Sequence, residues 1–212
     1  MILPQTMQQL DVFADSRDVM LRNDVLEQLQ QRDVAAARIA LALLGVEYPD
    51  DGALRGMAVL VRELGRESTA PLANHAALAI ARRHLEDELA PAAWRVLPPH
   101  TVSAWLAPCW RSLARQAATL PFQSADADSH AAPLWLLAAA WAAASEAVEA
   151  IESWWRMPAP LAWRTEARYR MGGLDAAWPL LVELAGVAGA REVRGITART
   201  GRRFARRATP AL

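Results

Sequence analysis

The chain has no lysine; all 23 of its basic residues are arginine. That absence follows a composition rich in alanine, arginine, glycine and proline, the residues of GC-rich codons, before it says anything about guanidinium chemistry. A single cysteine, Cys109, excludes an intrachain disulfide and makes a reducing cytoplasm the expected compartment. Two tyrosines and three phenylalanines, with few β-branched residues, leave little material for strands, and no β-hairpin pattern occurs. The longest apolar run, Ala131 to Ala144, is shorter than the ~20 residues of a bilayer crossing and reads as a buried helix. The first ten residues lack the basic and apolar regions of a signal peptide. Nucleophile elbows, phosphate-binding glycine loops and dinucleotide fingerprints are missing, so neither an enzyme nor a cofactor is expected.

What is present points to helix throughout. Alanine and leucine dominate a chain that is 53% hydrophobic. Apolar residues recur at helical spacing, punctuated by glycine and proline. Asp15 or Ser16 is expected to cap a first helix running to Gln31, and Arg32-Asp33 to break it. A second helix, Val34 to Glu47, should bury Ile39, Leu41, Leu43 and Leu44 and end before Tyr48-Pro49-Asp50-Asp51-Gly52. A third runs from Ala53 to Leu64 with Gly65 at the C′ position, and a fourth from a Ser68 or Thr69 cap to Leu89. Residues 90–100, with Pro91, Pro98 and Pro99, read as a connector holding at most one helical turn. A fifth helix, Thr101 to Thr119, should kink or split at Pro108. Residues 121–130 read as a mobile loop, followed by helix from Pro133 to Trp155 with a break near Ser145. Two last helices, Leu161 to Met171 and Leu174 to Ala185, meet at a tight Gly172-Gly173 turn.

Two of these hairpins carry spacing that resembles the tetratricopeptide repeat, a helix-turn-helix unit of 34 residues. Ala167, Tyr169, Gly172, Gly173, Leu174 and Ala177 follow the pattern of a glycine turn with a small residue five positions on. Leu29, Arg32, Asp33, Val34 and Ala37 do so as well, with Pro49 at the place of the terminating proline. Arg32 replaces the turn glycine in the first unit, and Pro179 interrupts the second helix of the other. The resemblance covers about 60 residues. It implies an all-α fold of sequential antiparallel hairpins, a tetratricopeptide-like α-solenoid or compact helical-repeat bundle. It also implies a scaffold that binds another protein, identity open, with a second copy of the chain admitted as partner. The domain limits that follow are 1–190 for the helical body, with a sub-boundary at 90–100, and 191–212 for a basic tail.

Three groups of residues invite a functional reading. All nine tryptophans lie between Trp94 and Trp178, where large rings are expected to fill space between alanine-rich helices. Trp154 and Trp155 differ, because adjacent helical residues point about 100° apart and one must leave the core. Trp154, Trp155, Trp163, Arg164 and Arg168 are therefore the expected partner-binding set. His84 and Glu88 share a helix face, but no second ligand pair accompanies them and no metal is expected. An enzyme would have to recruit His84, Glu86, Asp87, Glu88 and His100 into one cleft. Cys109, beside Trp110, reads as a buried thiol.

Charge is zero overall but unevenly spread. Arg191 to Leu212 holds seven arginines against one acid, while residues 1–190 hold 16 arginines and 22 acids. In helical form Arg199, Arg202, Arg203, Arg206 and Arg207 would make one basic face for a polyanion. Nucleic acid is not expected as partner, because the body of the chain is acidic.

Overall fold

The computed structural model describes the backbone of residues 5–66 and 69–208 and the side chains of residues 17–66 and 69–187. The described backbone is all-α, without a strand. It divides into two compact units interleaved in sequence: residues 1–68 with 83–105, and residues 69–82 with 106–212. No unit boundary falls in 90–100.

In the first unit, α1 (Gln5–Gln31) and α2 (Val34–Glu47) form an antiparallel hairpin. The turn is made by Arg32, at φ 59°, and by Asp33, whose carboxylate accepts the Ala36 N–H at 2.9 Å as an N-cap. Asp15 and Ser16 lie inside α1 and do not cap it. The apolar residues of α2 divide differently from expectation. Ala37 and Leu44 are buried, while Ile39, Leu43 and Val46 are exposed. Nearly every position of α2 is apolar, so its sequence alone defines no inward face. α3 (Leu54–Leu64) buries Met57, Leu60, Val61 and Leu64. Gly65 ends it at φ −83°, outside the left-handed region, with the tip of the flexible Arg38 side chain over its open face.

The proline-rich stretch is more helical than expected. A π-helical turn, His84–Leu89, leads directly into α5 (Ala90–Val96), where the Ala90 N–H donates to the Leu85 carbonyl. Pro91 accounts for the widened turn. Its ring would press on the carbonyl four residues back, and it has no N–H to bond there. Gly56 is buried against α5, where a Cβ would sit 2.6 Å from Val96 Cγ2. The remaining wall is the opening of α6 (Pro99–Gln116). Its Trp105 is 5% exposed and donates its indole N–H to the Leu29 carbonyl at 2.8 Å. Arg32 donates to the Trp105 carbonyl at 3.0 Å and places its guanidinium 5.3 Å from the ring centre. The α1–α2 turn is thereby fastened to α6.

In the second unit, α4 (His75–Arg83) begins later than expected, because Asn74 and not Thr69 supplies the cap, to the Ala77 N–H at 2.9 Å; Ser68, the other expected cap, lies outside the described residues. α6 runs through Pro108 without splitting. Residues 121–130 are pinned, contrary to a mobile loop: a 3-10 turn at Ser124–Asp126 precedes buried Ser129 and His130. Helix then comes in two pieces, α7 (Ala131–Leu137) and α8 (Trp141–Glu149). The break lies at Ala139, φ 55°, not at Ser145, which is buried mid-helix. A 3-10 turn at Trp154–Arg156 leads into α9 (Pro158–Ala208).

Helical hydrogen bonding continues through α9 without the separate turn expected at Gly172-Gly173. Yet Leu161 and Leu184 belong to one buried cluster with Trp154, Ala162 and Leu180. A straight helix would hold two residues 23 positions apart at about 34 Å. The chain therefore doubles back between them, and the two leucines are equally far along it from the glycine pair. Gly173 has φ +72°, and a Cβ on Gly172 would meet Ala176 Cβ at 2.7 Å, half the spacing of a regular turn. Gly173→Val should accordingly lower stability by about 2 kcal/mol, and Gly173→Asn by less, since asparagine tolerates positive φ. Urea unfolding of the two variants measures the difference.

Candidate functional site

Four of the five residues expected to bind a partner make specific contacts within the second unit. Trp154 is half-buried, meets Trp155 edge-to-face at 6.0 Å, and carries the Arg164 guanidinium 4.9 Å above its ring. Arg164 also donates to the Ser145 carbonyl and hydroxyl at 3.3 and 3.2 Å and pairs with Glu149. Its charge is thus spent joining α8 to α9. Trp163 packs on Leu136, Ala144 and Ala167, stacks parallel to His130 at 6.1 Å, and takes the edge of Phe122. Trp163 and Arg164 are consequently internal braces and leave the partner-binding set. Trp155, 49% exposed, and Arg168, also exposed, remain accessible. Arg199, Arg202, Arg203, Arg206 and Arg207 lie outside the residues whose side chains are described.

A further exposed apolar row lies outside the expected partner-binding set. After Gly173, Ala177, Leu180, Leu181 and Leu184 face inward at i, i+3, i+4, i+7. On the outer side Leu174, Trp178 and Val182, at i, i+4, i+8, are 54%, 59% and 58% exposed. Tyr169 and Met171, just before the glycine pair, are exposed as well. The signal was in the sequence as two apolar stripes on one helix, of which a single helix pairing can cover only one. Among the other tryptophans, Trp105 and Trp110 are buried as expected, while Trp94 is exposed.

The residues an enzyme would need are only partly assembled. His84 Nε2 lies 3.0 Å from Glu63 of α3, and Nδ1 lies 3.2 Å from Glu88. Arg66 reaches the same Nε2 at 3.0 Å. Glu86, Asp87 and His100 are exposed. No group of three His, Cys, Asp or Glu among the described residues is placed to hold a metal ion. Cys109 is half-buried where full burial was expected.

An open cleft of about 370 Å³ in the first unit is lined by Asp18, Arg22, Glu47, Tyr48, Pro49, Asp50 and Asp51. Arg22 pairs with Asp18 within α1 at 2.6 Å and with Asp51, beyond α2, at 2.5 Å, and Arg17 of α1 pairs with Glu47 of α2 at 2.5 Å. Burial works against ionisation of Asp51. Bonds from Arg22 and the Ala53 N–H overcome it and hold the carboxyl below the ordinary range. The Arg17 guanidinium likewise lowers Glu47. These groups brace the hairpin and its exit into α3.

No helix of the described residues is long and apolar enough to cross a membrane. Compared with family models, curated proteins and solved structures, the chain matches none.

Proposed function

We propose that the chain is a non-enzymatic interaction module, a helical scaffold that binds a protein partner through the outer face of its C-terminal hairpin. The observation that carries this reading is the row of Leu174, Trp178 and Val182, more than half exposed on one helix face. An apolar row with a central tryptophan is the composition of interface anchors and not of a solvated helix face. Helix hairpins resembling tetratricopeptide units are a second support, because such units present helix faces to protein partners.

The test is affinity capture from the native host with the wild type and with Trp178→Ala and Val182→Asp. Both positions are exposed, so melting temperatures should stay close to wild type. Loss of Trp178 should weaken binding of a captured partner by about 30-fold, as at interface anchors. Undiminished capture by both variants would remove this face from consideration.

A further inference from the structure

We propose that residues 121–130 form a strap over Trp163 that is latched by the neutral imidazole of His130 and released by acid. Three contacts along the strap carry the inference. At its start, His75 Nε2–H donates to the Pro121 carbonyl at 2.9 Å. Towards its end, Arg82 donates to the Asp128 carbonyl at 2.7 Å. At its close, His130 Nδ1 accepts the Ala132 N–H at 3.2 Å and so caps α7, a role usually taken by Ser, Thr, Asp or Asn. Between these pins, Phe122 and the His130 ring lie against Trp163, one edge-on and one stacked.

The latch works only when Nδ1 has a free lone pair. A proton added there turns the acceptor into a donor facing the Ala132 N–H, so the cap is lost as the charge appears. That charge arises in a ring only 7% exposed, next to aromatic faces. Of the charged groups around it, His75 on α4 opposes it. Asp126 and Asp128 belong to the strap itself, and Asp128 is engaged by Arg82 at 3.9 Å. Phe122 and Trp163 bring no charge.

The direction follows from burial, and secondly from His75, which together push His130 down from 6.5 to about 4. An open strap binds the proton near the ordinary histidine value, while the closed strap resists it. Closure is therefore fully supported above pH 6.5, weakens as pH falls from there towards 4, and is constant below. At tenfold per pH unit the opening equilibrium rises by about 300-fold across that window. The Arg82 bond to the Asp128 carbonyl does not depend on the His130 lone pair, so opening stays local, baring Trp163.

Hydrogen exchange, corrected for the intrinsic pH dependence, tests this on the full chain at pH 7 and pH 4.5. Protection of amides 122–132 should fall by about sixtyfold, with Leu60 and its neighbours in α3 unchanged and acrylamide quenching of tryptophan fluorescence increased. His130→Asn keeps a capping acceptor and removes the titration, so its strap should stay equally protected at both pH values. His75→Gln keeps a donor for the Pro121 carbonyl and removes the opposing charge, so its loss of protection should be smaller than in the wild type. Equal strap protection at both pH values in the wild type would overturn the proposal. So would an undiminished acid response in either variant.

Discussion

Trp105→Ala should lower stability by about 4 kcal/mol, within the range for emptying a large buried aromatic site. Two losses combine. The buried ring leaves a void in the interior of its unit, and the Leu29 carbonyl loses the indole N–H at 2.8 Å and keeps only the Arg32 N–H at 3.3 Å. Arg32, left-handed at φ 59°, also loses the ring beneath its guanidinium. Trp105→Phe separates these effects. It restores most of the volume and leaves the carbonyl with only the longer Arg32 N–H bond, for an expected cost of about 1.5 kcal/mol. Urea titration of both variants against wild type provides the comparison. A Trp105→Ala loss under 1 kcal/mol would show that the α1–α2 turn is not fastened through this residue.

How much of this was legible depended on whether a signal was local. The bounds of α2 were, because Asp33 caps it from three residues away and Pro49 stops the chain beyond it. The exposure of Ile39 was not, since valine, alanine, isoleucine and leucine surround that helix on all sides and only its neighbours decide which face is covered. Pro91 misled for a related reason. A proline ends most helices, but here a widened π turn takes up its ring and continues into α5. His84 and Glu88 could be paired from their spacing, whereas Glu63 stands 21 residues away and needed the fold to bring it in. The same limit hid the fate of Trp163 and Arg164. Both carry the residue types of a binding anchor, and both are claimed by partners far off in sequence, His130 and Ser145.

Where sequence and structure met on a long-range feature, glycine was the reason. Gly172-Gly173 announced a reversal before any contact was known, because few residues adopt positive φ without strain. The structure keeps helical hydrogen bonding through the pair and still folds the chain back, so the glycines act through backbone shape without opening a loop. The outer face of the returning helix, with Trp178 at its centre, exists only because of that reversal: it turns Ala177 and Leu184 inward and Leu174 and Val182 outward.

A double-mutant cycle on Leu161 and Leu184 tests the reversal most directly. Each leucine is almost fully buried, and each Leu→Ala change should cost about 3 kcal/mol. In a straight helix the two sites would be about 34 Å apart and their effects would add. In the folded-back arrangement both side chains line one cluster with Trp154 and Leu180, so the first truncation already loosens the packing that the second removes. The double variant should then be about 1 kcal/mol more stable than the sum of the single losses predicts. Thermal or urea unfolding of the wild type, both single variants and the double variant measures the coupling. Strict additivity would place the two leucines in separate surroundings and undo the hairpin, and with it the outward face on which binding is proposed.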